Sequence, residues 1–324
     1  MDKVVTELPV LRLGLIGFAA PQQALLDSVL ASMPTPLRWR LAELSQADAI
    51  CANGARAIAL ADGSFQIGPS AAGAAPARID LNASDRPLAF SIPLALRGFT
   101  APATVDLTSS ASIRAMLEKF EGWLRPMTVQ FCLASRIVQE RLDVRSTVFH
   151  VSVNGRLQAV VSPRNGMGVL PIADPAGLSN AVWARRPGTA DDIPGHFIRA
   201  GLAEVMWQYA MRTTRDLLAP SLRSGLIYWC RAPQLPQRLF DDAHLMIVRE
   251  LAHAPSTFAE LALRTKLAEP VLARCVLALC IVGAVTLHKE RASRAAEEAG
   301  GAVEHEEEMS SDRTVPAPLL PYWN

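Results

Sequence analysis

The 324-residue chain lacks an excess of either charge, since 32 lysines and arginines face 31 aspartates and glutamates. With a formal net charge of +1, nothing global draws it to nucleic acid, anionic lipid or an acidic substrate, and any such binding needs a local patch. Cysteine is scarce. Cys51, Cys132, Cys230, Cys275 and Cys280 are odd in number, scattered and mostly set in apolar runs, the pattern of reduced thiols used as small hydrophobes. That excludes a disulfide framework and makes a cytosolic location the expectation. Long hydrophobic runs are missing too. The longest uncharged one, Cys275 to Val285, spans eleven residues, against the roughly 20 that a bilayer crossing requires. The opening "MDKVVTELPVLRLGLIGF" sets Asp2 and Pro9 around a short apolar run, so neither a signal peptide nor a membrane partner is expected.

Catalytic signatures are equally sparse. No Gly-x-Ser-x-Gly, His-Glu-x-x-His or Cys-x-x-Cys occurs, and the six histidines are dispersed. His150 alternates with valines in a strand pattern, and His196 precedes a helical one. No two His residues have zinc-finger or facial-triad spacing, and Cys275 and Cys280, five apart in an apolar helical run, read as core. Gly14 and Gly17 are followed by no third glycine where a dinucleotide fold needs it, and "PRNGMG" has an arginine but no Lys-Ser/Thr. These absences predict no cofactor, no metal and no catalytic residue, leaving a divergent enzyme to depend on a pocket assembled only in three dimensions.

What is present is apolar bulk. Half the residues are hydrophobic, enough for two or three domains with their own cores. Residues 1–97 alternate short apolar runs with one amphipathic stretch: "VLRLGLIGF", the helix "PQQALLDSVLASM" with Pro21 in its first turn, then "LRWRLAEL", "DAICAN", "AIALADG" and "PLAFSIPL". This order resembles a receiver (flavodoxin-like) α/β domain. The resemblance is one of pattern and covers about a quarter of the chain. It implies a degenerate member, because the first strand ends "GFAAP" without an acidic pair, Asn53 stands where a phospho-accepting aspartate would, and no Lys-Pro follows Ser91. An α/β domain of another lineage fits the same pattern.

Residues 98–146 read as a helical connector, with Ser/Thr caps and apolar spacing on both sides of Pro126. Residues 147–232 read as a small α/β unit. Its clearest feature is the hairpin "STVFHVSVNGRLQAVVS", in which Asn154-Gly155 is a preferred two-residue turn. A strand "VLPIA", the punctuated loop "DPAGLSNAVWARRPGTADDIPG", a helix from His196 and a strand "SGLIYWCR" follow. Within that loop Trp183 beside Arg185 and Arg186 has the make-up of an interface hot spot, with pinning of the loop to the core as the plain alternative. After the proline-bearing linker "APQLPQRLF", residues 239–290 have a winged-helix layout: a helix capped by Asp241 or Asp242, a capping box from Thr257 to Glu260, a third helix opened by Pro270 and closed by Gly283, and the strand "AVTLHKE". Residues 291–324 are a charged, Gly/Ala-rich tail ending in an apolar tip with Leu320, Tyr322 and Trp323, suited to docking on a partner or folding back.

The third helix bears on DNA binding. A groove-reading helix presents a polar, basic face, whereas "EPVLARCVLALCIVG" offers only Arg274 in its body, with Arg264 and Lys266 just before it. An interaction or self-association module is therefore expected, within a multidomain α/β and α+β protein of regulatory or scaffolding type, cytosolic and bacterial. DNA binding through Arg264, Lys266 and Arg274 is the first alternative. The second is a cyclic dinucleotide effector: Arg141 to Arg145 resembles the Arg-x-x-x-Arg of PilZ domains, though His150 replaces the acid of their second motif, and Arg238 to Asp241 matches the Arg-x-x-Asp inhibitory site of diguanylate cyclases without any cyclase signature.

Overall fold

A computed structural model describes residues 6–32, 37–69, 75–80, 86–95 and 100–293. The chain is mixed α/β and divides into two compact units, Met1–Thr214 and Arg215–Asn324. No helix among the described residues is long and apolar enough to cross a membrane.

The first unit begins with β1 (Val10–Ile16), α1 (Ala20–Ala31), β2 (Arg38–Ala42) and β3 (Ala49–Ala52). Three short strands follow, β4 (Ala57–Ala59), β5 (Phe65–Ile67) and β6 (Ala77–Ile79), then β7 (Leu88–Ser91) and β8 (Thr104–Val105). A parallel sheet forms in the order β2-β1-β3-β7-β8. Side chains alternate cleanly across it. Leu11, Leu13, Ala49, Cys51, Ala89 and Val105 join one apolar cluster with Leu26 and Leu30 of α1. Ile16, Ala52, Leu88 and Phe90 face a second cluster that contains Ile67 of β5 and Ile79 of β6. Both faces are thus covered, as a parallel sheet requires.

That second covering layer departs from the sequence reading. "AIALADG" is not a member of the parallel sheet; it is β4, which pairs antiparallel with β5, itself antiparallel to β6. Gly63 at φ +82° and the Asp62 carboxylate, which accepts from the Ser64 backbone N–H at 3.0 Å, turn the chain back after three residues. Ile58 stays 61 % exposed, which a strand sandwiched on both faces could not be.

Next comes α2 (Ser110–Gln139), capped by Ser109. It is one continuous 30-residue helix through Pro126, and a central core element where the sequence suggested a connector. Proline removes one i→i−4 bond, but Leu124, Thr128 and Val129 are all buried on either side and hold the axis. Its first half packs Ile113, Leu117 and Phe120 into the first apolar cluster. Farther along, Phe131 meets the Tyr209 ring edge-on, with centroids 5.0 Å apart.

Half-buried Glu121 on α2 accepts a 2.9 Å hydrogen bond from the Trp39 indole N–H. Burial raises its pKa above the ordinary carboxylate value, the indole bond opposes this, and the neighbouring Glu118 charge adds to it. A folded-state pKa above the unfolded 4.5 means a contribution present in acid and lost as pH rises through the folded value. Glu121→Gln keeps an acceptor for Trp39 without the charge. It is expected to raise the thermal midpoint at neutral pH, with the gap from wild type closing as pH falls below 4.5, as calorimetry across that range would read.

The antiparallel sheet of this unit uses β9 (Val148–Val153), β10 (Arg156–Ser162), β11 (Gly166–Val169), β12 (Val182–Arg186) and β13 (Ile198–Ala200), in the order β12-β9-β10-β11-β13. The Asn154-Gly155 turn is as read, with φ +50° and +75° matching a primed hairpin turn. "VLPIA" is displaced: β11 ends at Val169 because it starts earlier, at Gly166, whose φ of +79° and close approach to the Ala200 carbonyl leave no room for a Cβ. The helix expected from His196 begins at Leu202 as α3 (Leu202–Arg212), since β13 occupies the preceding residues and Gly201 is the N-cap.

Two polar ties close the unit. Asp48, just before β3, is ion-paired with Arg212 at the end of α3 (Nη1–Oδ2 3.0 Å), and their side chains are 3 % and 14 % exposed. Asp48 also accepts from the Arg12 backbone N–H at 2.9 Å. Glu7 accepts from the hydroxyls of Tyr209 (3.1 Å) and Thr213 (2.8 Å) and from the backbone N–H of Thr214 (2.8 Å).

The second unit comprises α4 (Pro220–Ser224), β14 (Leu226–Trp229), α5 (Asp242–His253), β15 (Ser256–Thr257), α6 (Phe258–Thr265), α7 (Glu269–Ile281) and β16 (Val285–Thr286). β14, grouped in the sequence with residues 147–232, instead hydrogen-bonds β15 on one side and β16 on the other. Ile227, Ile247, Leu251, Leu261, Leu272, Val276 and Leu279 are buried in this unit.

Candidate functional site

Three places in the fold can be weighed for function, starting with the C-terminal ends of the parallel strands, where ligands of open α/β sheets bind. Asn53 follows β3 there. Its amide donates to the Gly17 carbonyl at 3.0 Å and accepts from the Ala55 N–H at 3.1 Å. The Ser91 hydroxyl, at the end of β7, accepts from the Gly54 N–H at 3.1 Å. Backbones meet closely: a Cβ on Gly54 would lie 2.0 Å from the Ser91 carbonyl oxygen, and one on Gly17 2.8 Å from Ile67. Asn53 and Ser91 are therefore engaged in holding loops together, and Ile67 from the antiparallel layer lies beside Gly17.

The second place is an open depression of 450 Å³ between the β10–β11 turn and the start of α3, lined by Arg164, Asn165, Arg199 and Gly201 among others. Here "PRNGMG" makes a turn, with the Ser162 hydroxyl accepting from the N–H groups of Arg164 and Asn165. Asn165 donates to the Asp191 carbonyl at 3.0 Å and Arg199 to the Ile193 carbonyl at 2.6 Å. These bonds brace the neighbouring loops.

The third is the helical face of the second unit. Thr257 and Glu260 form the expected capping box of α6, with Glu260 accepting from the Thr257 N–H at 2.7 Å. Arg264 donates to the Ser256 hydroxyl at 2.6 Å and stands 3.7 Å from Glu250 and 3.9 Å from Glu260. Two carboxylates thus offset the charge that DNA would need. Lys266 ends α6 in the left-handed conformation (φ +56°) and is exposed. Arg274 on α7 is half-buried and donates to the Pro270 carbonyl one turn back, at 3.2 Å. From Val271 to Ile281 no residue of α7 is exposed. Outside it, Leu245 on α5 and Leu263 on α6 are 56 % and 79 % exposed.

The remaining candidates scatter. The Trp183 "loop" is the edge strand β12, paired with β9. Its indole lies edge-on to Phe149 (5.8 Å) and under the Arg136 guanidinium (5.6 Å), and its N–H is buried with no acceptor among the described residues. Arg185 and Arg186 are exposed farther along that strand. The loop expectation failed because β9 offered a free ladder to Val182–Arg186, which outweighs the flanking prolines and glycines. Arg141, at φ +49°, and Arg145 are exposed in the turn after α2, and His150 on β9 contacts the Ala190 carbonyl through Nε2 at 2.9 Å. Arg238 lies in a short 3₁₀ turn of the second unit, Gln237–Leu239. Asp241 caps α5, accepting from the His244 N–H at 3.1 Å. Leu320, Tyr322 and Trp323 lie outside the described residues.

One juxtaposition was not read from the sequence: Asp241, His244 and the Cys275 thiol of α7 bring one ligand atom each within 4.8 Å of one another. The spacing from Asp241 to His244 is that of a capping box and signals only a helix start; Cys275 sits in an apolar run and signals only core. Burial pushes the thiols of Cys51, Cys132 and Cys275 up to about 12. The chain matches no family model, no curated protein and no solved structure.

Proposed function

We propose that this is a non-enzymatic regulatory or scaffolding protein that works through protein–protein contacts of its second unit. The observation that carries this reading is the state of α7. A helix without an exposed residue from Val271 to Ile281 has no face to lay in a DNA groove, while exposed Leu245 and Leu263 on the neighbouring helices offer apolar contact. The order α5, β15, α6, α7, β16 supports reading residues 239–290 as a winged-helix module used for contact. In the first unit, the parallel strands taken in chain order run 2-1-3-4-5, the flavodoxin-like order. This supports a receiver-like origin in which Asn53 and Ser91 have become structural and phosphate switching is lost.

Two measurements on the full chain test this. Fluorescence anisotropy of a labelled random-sequence duplex is expected to stay flat at low salt, and micromolar binding that collapses as salt rises would overturn the reading. Sedimentation equilibrium over a range of concentrations is expected to show association that Leu263→Asp weakens. An unchanged monomer in both proteins would remove self-association as the contact used.

A further inference from the structure

We propose that Asp241, His244 and Cys275 form a transition-metal site, best suited to Zn²⁺, that ties the N-terminus of α5 to α7. The carboxylate, imidazole and thiol come from the N-cap and third position of α5 and from the second turn of α7, and their ligand atoms all lie within 4.8 Å of one another. His244 is 1 % exposed and Cys275 fully buried, whereas the Asp241 side chain is 52 % exposed. Two donors are therefore fixed by packing and the third stands at the solvent side, a path of entry for an ion.

The donor chemistry is selective. Thiolate, imidazole and carboxylate together suit Zn²⁺, while Mg²⁺ and Ca²⁺ take oxygen donors. With Zn–S near 2.3 Å and Zn–N and Zn–O near 2.0–2.2 Å, tetrahedral donors sit roughly 3.3–3.7 Å apart. The closest pair, His244 Nδ1 and Asp241 Oδ1 at 2.6 Å, must open, and the widest must close by about an ångström at most. Rotation of the exposed Asp241 side chain supplies much of that movement, exchanging its cap bond from the His244 N–H for the ion. Three protein donors leave a fourth position for water or for a ligand from outside the chain.

Glutamate or glutamine is the usual third residue of a capping box, and here it is a buried histidine. Capping alone does not call for an imidazole beside a thiol. On binding, the ion replaces the thiol proton, which leaves to solvent, and affinity rises with pH.

The test is titration of the full-length, reduced protein with Co²⁺ as a spectroscopic stand-in for Zn²⁺. One equivalent is expected to produce a near-ultraviolet thiolate-to-cobalt charge-transfer band, which Zn²⁺ then bleaches. The band should be absent in Cys275→Ser. His244→Gln keeps a side chain that can close the capping box, so it should fold, yet it should bind Co²⁺ more than about tenfold more weakly, the least that losing even an outer-shell partner costs. His305 and its neighbouring glutamates in the tail can also hold Co²⁺, but without sulfur they give no such band. Absence of the band in the wild-type protein overturns the proposal without recourse to any variant. So does a band that survives Cys275→Ser, or His244→Gln binding with wild-type affinity.

Discussion

Arg212→Met is expected to destabilise the first unit by about 3–5 kcal/mol, the cost of leaving a buried carboxylate without its counter-ion. Asp48 has little recourse, because its side chain is only 3 % exposed and its other defined hydrogen bond is the single N–H of Arg12. Methionine retains most of the volume and the apolar stem, so the loss reports charge more than packing. Asp48→Asn with Arg212→Met should recover part of the stability, since an amide can still accept from Arg12 and is far less costly to bury than a lone charge. Calorimetry or urea unfolding of the four proteins in a double-mutant cycle isolates the pair. A single-mutant loss under about 1 kcal/mol would mean that water reaches Asp48, as at an exposed ion pair.

Leu272→Ala should cost the second unit about 2–5 kcal/mol, the range for emptying a core leucine site, whereas Arg274→Ala, two residues along the same helix, should change stability by only about 0.5 kcal/mol. Leu272 is fully buried; Arg274 is half-buried and donates to the Pro270 carbonyl of its own helix. The contrast has functional content. A helix that reads DNA loses duplex binding when its arginine goes, whatever truncation of a buried leucine does to stability. If α7 enters no groove, Arg274→Ala leaves duplex binding as it was, while Leu272→Ala still costs stability. Urea unfolding of the two variants, with duplex anisotropy alongside, separates these cases.

Local signals carried the local elements. Alternation plus Asn154-Gly155 located the β9–β10 hairpin, and Thr257 with Glu260, Pro270 and Gly283 marked the limits of α6 and α7, because caps and tight turns are decided by a few adjacent residues. Partner choice was not legible in the same way. "AIALADG" has the composition of a parallel strand yet pairs with β5, and "VWARRPG" has the punctuation of a loop yet lies along β9, since a ladder depends on what arrives beside it. The apolar spacing on both sides of Pro126 was legible as helix, but that the two stretches form one continuous core helix was not, because burial is decided by what packs around them. The Asp241, His244 and Cys275 group joins the start of one helix to the second turn of another, more than thirty residues on, and no spacing rule within a single segment could announce it.

The bonds from Glu7 to Tyr209, Thr213 and Thr214 have a bearing on how the chain is made. At 5–20 residues per second, about 10–40 s separate synthesis of Glu7 from synthesis of Thr214. Through that interval the nascent parallel sheet must wait on the ribosome with its first residues unanchored and Asp48 without Arg212. The first unit can lock only near the end of its own translation, and until then its emerging edges are the surface that a chaperone would hold.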